Sequence, residues 1–295
     1  MVMVLRPPLF QYPFEPGSRL LGNGHRMSYV DEGRGKPVVL LHGNPSWSYL
    51  YRNLISLLGR SHRCIAPDHL GCGLSDKPQD YPYRLAGHID NLGDFLEQMA
   101  VGRCVLVMHD WGGAIGMGWA ARHADKIAGL IVMNTAAFRS RLLPRRIAVC
   151  RLPLIGAFLV RGLNLFARGA TVMAVRKKMA PGVRSGFLFP YDCWASRIAL
   201  HRFVQDIPLN EGHPSWPTLL RVEEGLERLT GKPMLICWGG RDFCFTEAFY
   251  HEWRQRFPDA EGHYFAQAGH YLLEDEFNAV GGRINRFLRD IGWTA

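Results

Sequence analysis

The sequence predicts an α/β fold: a mostly parallel central sheet covered by helices, with a helical cap inserted after the sixth strand. Three observations carry this. Short, continuously apolar runs, PVVLLH (37–42), CVLVM (104–108), IAGLIVM (127–133) and PMLICW (233–238), alternate with amphipathic stretches, the pattern of strands buried on both faces beneath crossover helices. That alternation stops after Asn134 and resumes at Pro233; from Ala136 to about Pro217 there is only helical apolar spacing studded with arginine. Third, residues 104–120, CVLVMHDWGGAIGMGWA, join a buried strand through a sharp turn to a glycine-opened apolar helix.

Taken in order, residues 26–30 and 37–42 read as strands around the turn DEGRGK. Residues 48–58 have helical spacing, with Leu50, Leu54 and Leu57 on one face. Residues 63–66 form a short strand leading into DHLGCGLS (68–75), and 88–100 form the next amphipathic helix. The strand at 104–108, the helix from Gly112 and the strand at 127–133 complete the first part. After the insertion come the strand at 233–238, a helix over 246–257, a strand over 263–266 and a last helix over 278–290. The expected organisation is therefore a core built from 1–135 and 218–295, with 136–217 as the cap.

Composition narrows the class. A 295-residue chain with 47% hydrophobic and 21% charged residues is ordinary globular material. The N-terminal MVMVLRPPLFQYPFEPG lacks a basic start and a long apolar run, so a cytoplasmic protein without a signal peptide is expected. Seven scattered cysteines without CxxC spacing imply neither a disulfide framework nor a metal site. The net charge of +9 is concentrated: residues 136–215 hold 13 Lys or Arg against Asp192, Asp206 and Glu211, a local +10. A solvated helical surface accounts for this, and so does docking on an anionic membrane or an acidic protein. No nucleic-acid motif accompanies the charge, so nucleic acid is not an expected partner.

The strand–turn–helix at 104–120 is a nucleophile elbow, which lifts one side chain above the sheet and aims backbone N–H groups at it. Asp110 stands where such elbows usually carry serine. A carboxylate there suits displacement of a leaving group from saturated carbon, giving an alkyl ester that water then cleaves; capping of the following helix is the competing reading. In an α/β-hydrolase fold the acid and then the base follow the nucleophile. His270, in AGHYL after the last strand, has the position of the base, and Asp242, in GGRD after PMLICW, that of the orienting acid. Trp111 supplies an indole N–H and Asn44 an amide for a departing anion, and their backbone N–H groups an oxyanion hole. Glu274 and Asp275 follow His270 too closely to serve as the acid.

The segments HGNPSWSYLYRNLI (42–55), DHLGCGLSDKP (68–78), HDWGGAIG (109–116), WGGRDFCF (238–245) and AGHYLLEDE (268–276) together resemble the haloalkane dehalogenases over nearly the whole core. The resemblance implies Asp110 as nucleophile, His270 as base, and Asn44 with Trp111 as the halide-stabilising pair, with no cofactor. Many members carry a Glu acid after the strand preceding the cap; here that strand ends MNT (133–135), which leaves Asp242 for the role, as in the third subfamily, often found as large homo-oligomers. PYDCWASRIALHRFVQDIPL (190–209) and YPFEPGS (12–18) equally resemble the β-lactone decarboxylases of bacterial olefin biosynthesis, which turn a β-lactone into an alkene and carbon dioxide. The catalytic motifs do not separate the two chemistries; hydrolytic dehalogenation is the first reading, with β-lactone decarboxylation as the alternative. The apolar residues of 152–165 with Phe187, Phe189 and Trp194 are expected to line a site for alkyl chains. Epoxide hydrolases use two cap tyrosines, whereas this insertion has only Tyr191; fluoroacetate dehalogenases carry Arg where Trp111 stands. A non-catalytic binding module on the same fold is the reading from a different class.

Overall fold

The computed structural model describes residues 10–152 and 154–294, so residues 1–9 of the N-terminal arm lie outside it. One sheet of eight strands organises these residues: β1 (Gly17–Leu20), β2 (Arg26–Glu32), β3 (Pro37–Leu41), β4 (Arg63–Pro67), β5 (Cys104–Asp110), β6 (Ile127–Thr135), β7 (Met234–Gly239) and β8 (Glu261–Phe265). Their order is β1-β2-β4-β3-β5-β6-β7-β8, antiparallel at the β1 and β2 end and parallel from β4 onward.

The apolar runs behave as two-sided strands. Val39, Leu41, Leu106, Met108, Leu130, Val132 and Ile236 join the core on one face. Val38, Leu40, Val105, Val107, Ile131, Met133 and Leu235 join the core on the other. Because side chains alternate along a strand, an uninterrupted apolar run feeds both cores at once. Every residue of β5 and β6 is buried, so the turn after β5 springs from a fully enclosed part of the sheet.

The core helices are α1 (Arg52–Leu58), α2 (Leu85–Gln98) and α3 (Trp111–Arg122). Between β6 and β7 follow α4 (Arg145–Cys150), α5 (Ile155–Ala157) running on into a π-turn at Phe158–Gly162, α6 (Leu165–Met173), α7 (Pro181–Leu188), α8 (Ile198–Gln205) and α9 (Trp216–Gly225). The helices α10 (Glu247–Arg256), α11 (Leu272–Asp275) and α12 (Phe277–Asp290) complete the chain.

Two elements depart from the expectation. The strand β1 is an exposed edge strand, GSRL, paired with β2 from Gly17 opposite Tyr29; with one face against solvent and an arginine in its middle it carries no apolar alternation to read. The helix α2 begins at Leu85 rather than His88 because its first N–H is capped from afar: Leu85 N–H donates to Asp206 Oδ2 at 2.8 Å, while Ser215 and Arg84 hold the other oxygen. An isolated reading of residues 80–100 has no access to a carboxylate 121 positions away.

Candidate functional site

The β5–α3 turn puts Asp110 at φ 51°, ψ −125°, in the sparsely populated left-handed half of backbone space. The neighbours that tolerate this are small: a Cβ on Gly43 would overlap the Asp110 carboxylate, and one on Gly112 would overlap the Leu41 carbonyl. Thr135, at the end of β6, fixes the turn from behind by donating its hydroxyl to the Asp110 carbonyl. The Asp110 side chain does not cap α3. It faces the cavity, and Oδ1 accepts the backbone N–H of Asn44 at 2.6 Å, with the Trp111 backbone N–H nearby. Burial pushes the Asp110 carboxyl above the ordinary range, against the pull of His270 and of these two donors.

His270 sits on the loop after β8. Its Nδ1–H donates to Asp242 Oδ2 at 2.8 Å, and its Nε2 faces Asp110 Oδ2 at 3.9 Å. The second distance is too long for a hydrogen bond, so Nε2 is left without a partner and faces the cavity beside Asp110. Burial opposes a charge on His270, yet the Asp242 and Asp110 carboxylates on either side more than offset it, and its pKa is raised. The loop is tied down at its backbone: His109 Nε2–H donates to the His270 carbonyl at 2.9 Å, and Tyr271 N–H donates to Ala174 O of the insertion at 2.7 Å. Burial, with the neighbouring His270, keeps His109 well below the usual histidine range, hence neutral.

Asp242 lies behind His270, its side chain closed off from solvent. Besides the imidazole it accepts Asn134 Nδ2 at 3.0 Å and the Cys244 backbone N–H at 2.7 Å. Asn134 is the residue that sequence reasoning missed. At φ 37° on the tip of β6 it also brackets β7, accepting Gly239 N–H at 2.8 Å and donating to Gly239 O at 3.1 Å. Its signal was present, since it occupies the position noted for lacking a carboxylate; an amide there can donate to a carboxylate supplied by the next strand. Glu274 and Asp275 have structural duties. Glu274 forms a two-pronged pair with buried Arg52, at 2.6 and 2.9 Å. Asp275 accepts N–H groups from Gly269, Arg176 and Lys177, joining the base loop to the insertion.

Asp110, His270, Asn44 and Trp111 share one cavity of about 450 Å³ beneath α4, α6 and α8, within the ordinary range for a small-molecule site. One Asn44 amide N–H already goes to Leu200 O at 3.0 Å, which orients the group and leaves its second N–H available. The remaining wall is mainly apolar, including Leu143, Ile147, Phe166 and Ala170. Of the residues expected to line it, Leu159 and Leu165 do so. Phe187 instead stacks on Tyr271 within the core, and Leu152, Leu154, Ile155, Phe158, Leu163 and Trp194 face solvent. Among the described residues no tyrosine lines the cavity; Tyr191 is buried elsewhere, its hydroxyl donating to Ser46 O.

A largely parallel sheet with an aspartate on its nucleophile elbow and an aspartate–histidine pair from the loops after β7 and β8 defines the class, an α/β-hydrolase-fold enzyme, and the alpha/beta hydrolase fold family matches residues 36–149. The chain is 44% identical to the cis-3-alkyl-4-alkyloxetan-2-one decarboxylase of Shewanella oneidensis, over 91% of this chain and 86% of the relative. It is 31% identical to haloalkane dehalogenase 2 of Mycobacterium tuberculosis, over 92% and 94%. The crystal structure of the haloalkane dehalogenase DbeA from Bradyrhizobium elkani superposes with a TM-score of 0.86 at 25% identity, over 95% and 99%. The chain belongs to the family of α/β-hydrolase-fold enzymes that includes these decarboxylases and haloalkane dehalogenases.

Proposed function

We propose that the enzyme decarboxylates cis-3,4-dialkyl β-lactones to alkenes, with Asp110 as nucleophile. The observation that carries this is the Asp110 carboxylate at the base of an apolar cavity, with the Asn44 amide and Trp111 indole beside it to receive a departing anion. A free alkyl halide would use the same groups; identity of 44% against 31% favours the lactone.

In the lactone reaction Asp110 attacks C4 from the face opposite the ring oxygen. The C4–O bond breaks, and its electron pair leaves as a carboxylate held by Asn44 and Trp111. Back-side displacement sets the new C4–Asp110 bond antiperiplanar to the bond between C3 and that carboxylate. The C3–carboxylate bond then breaks, its electrons form the C3–C4 double bond, and Asp110 departs with its own pair. Carbon dioxide and a cis alkene leave, no water is consumed, and the positive charge of the protonated His270 ring favours the ionised Asp110. In dehalogenation the alkyl ester has no carboxylate to lose. His270 Nε2 instead takes a proton from water, which attacks the Asp110 carbonyl carbon and releases the alcohol, while Asp242 fixes the imidazole.

Residues 136–217 act in this proposal as the cap, and 1–135 with 218–295 as the core. The resemblance also implies a homo-oligomer, which sedimentation velocity measures. The described residues contain no helix long and apolar enough to cross a membrane.

The test compares specificity constants for a cis-dialkyl β-lactone, read as alkene, and 1-bromohexane, read as bromide, both in H₂¹⁸O. Alkene should dominate and leave Asp110 unlabelled, whereas bromide release should carry ¹⁸O into Asp110. Bromide release faster than alkene formation would reverse the order of the two readings.

A further inference from the structure

The exposed apolar side chains are concentrated in one segment, the insertion that forms the cavity's outer wall. Of fourteen large hydrophobic residues exposed among the described residues, eleven lie between Leu142 and Trp194. The most exposed are Leu154 at 87%, Val172 at 61% and Phe158 at 57%. Scattered exposed apolar residues need no explanation, but clustering of this kind marks an interaction surface.

The charge on the same segment is one-sided. Exposed Arg145 and Arg168 form no ion pair among the described residues, and neither do Arg141 and Arg184. Of the three acidic residues in 136–215, Asp206 is buried and held by Arg84 and Ser215, while Asp192 and Glu211 are exposed. The surface also contains the entrance to the site: Leu142, Val149, Leu165 and Met173 are at once exposed and part of the cavity wall.

The geometry points to an anionic lipid surface as the occupant of this face, docked so that the cavity opens into the lipid. An apolar face bordered by unpaired arginines is the composition of an interfacial element, whose hydrophobic side chains enter the acyl boundary while the guanidinium groups meet lipid phosphates. A second copy seated symmetrically would set this cationic surface against itself, with only the exposed Asp192 and Glu211 to answer thirteen Lys or Arg. The entrance gives the docking a use, because an apolar substrate or alkene passes between lipid and cavity without crossing water. That use rests on the apolar-substrate reading above; the docking is measured without any substrate, so the two fail separately.

The experiment floats the full-length protein with vesicles of phosphatidylcholine alone or containing about one third phosphatidylglycerol. Binding is expected to the anionic vesicles, to be much weaker on the neutral ones, and to fall at about 0.5 M salt, where screening shortens the reach of charge. Arg145→Glu and Arg168→Glu should each weaken it about five-fold or more, the worth of one basic residue near an anionic surface. Ile155→Ser combined with Phe158→Ser and Val172→Ser should weaken it at unchanged net charge. None of these five residues lines the cavity, so turnover of a detergent-dispersed substrate should persist in every variant. Failure of the parent to float with anionic vesicles overturns the proposal, as does flotation indifferent to both sets of changes. Sedimentation velocity showing assemblies that these variants break apart would also overturn it, giving the face to a second copy.

Discussion

Replacing Asp242 by asparagine removes one charge and almost no volume, which makes it the most informative change at the site. The side chain is closed to solvent and holds His270 Nδ1 at 2.8 Å, so an imidazolium formed during hydrolysis has its counter-charge in contact. With charge centres about 4 Å apart and an effective dielectric constant of about 20, that attraction is about 4 kcal/mol, or roughly 10³ in rate. Asp242→Asn should therefore lower bromide turnover by about 10²–10⁴, with KM little changed because Asp242 is not part of the cavity wall. The pH profile adds a sign. Burial lowers the His270 pKa and the two carboxylates raise it, with Asp242 the stronger; taking that charge away moves the acid limb of the profile to lower pH. Steady-state bromide release across pH measures both effects. A plateau within three-fold of the parent with an unmoved limb would sink the assignment and return Asp242 to the role of a turn residue.

Asp110→Asn should abolish formation of both alkene and bromide while raising the melting temperature at neutral pH. The folded-state pKa of Asp110 is raised, so the native protein holds that proton more tightly than the unfolded chain, and ionisation costs stability as pH rises; calorimetry of the variant checks the sign. Trp111→Phe keeps the ring's contact with Phe203 but removes the indole N–H, and should cost about 10²-fold in kcat for both reactions, as expected for loss of one anion donor. Asn134→Asp sets a second carboxylate where an amide now donates to Asp242 at 3.0 Å. One of the pair then takes a raised pKa, so the stability lost relative to the parent should be small at low pH and grow as pH rises to 8, a trend read by thermal melts.

The sequence was most legible where a residue's job is local. Continuous apolar strands announce a two-sided sheet, and HDWGG announces an elbow, because burial on both faces and a tight glycine-assisted turn each constrain a few consecutive residues. Asp110, His270, Asp242, Asn44 and Trp111 all come together as their chain order implies. What stayed hidden depends on partners distant in the chain. Asp206 starts α2 from 121 residues away, and Asn134 completes the Asp242 cradle across 108. The direction of the insertion's apolar residues was hidden for a related reason: helical spacing shows that a stripe exists but not whether core or outside receives it. Phe158 and Phe166 are equally apolar by sequence, yet one faces solvent and the other the cavity.

In the proposed mechanism one apparatus can serve two reactions, because the fate of the Asp110 ester is decided by what the substrate carries into it. Displacement on a β-lactone leaves a carboxylate already aligned for elimination, and the ester collapses without waiting for another molecule. Displacement on a haloalkane leaves an inert alkyl group, and turnover then waits for water to reach the space between His270 Nε2 and the Asp110 carbonyl carbon. The 3.9 Å separation leaves room for that water between Nε2 and Asp110, while the apolar wall of Leu143, Ile147 and Phe166 offers it no polar partners above. Elimination is indifferent to that lack and hydrolysis is slowed by it. Selection for alkene formation can therefore keep the triad and anion donors intact and act on how dry the cavity is, and such a change lies in the insertion, away from every motif the two reactions share.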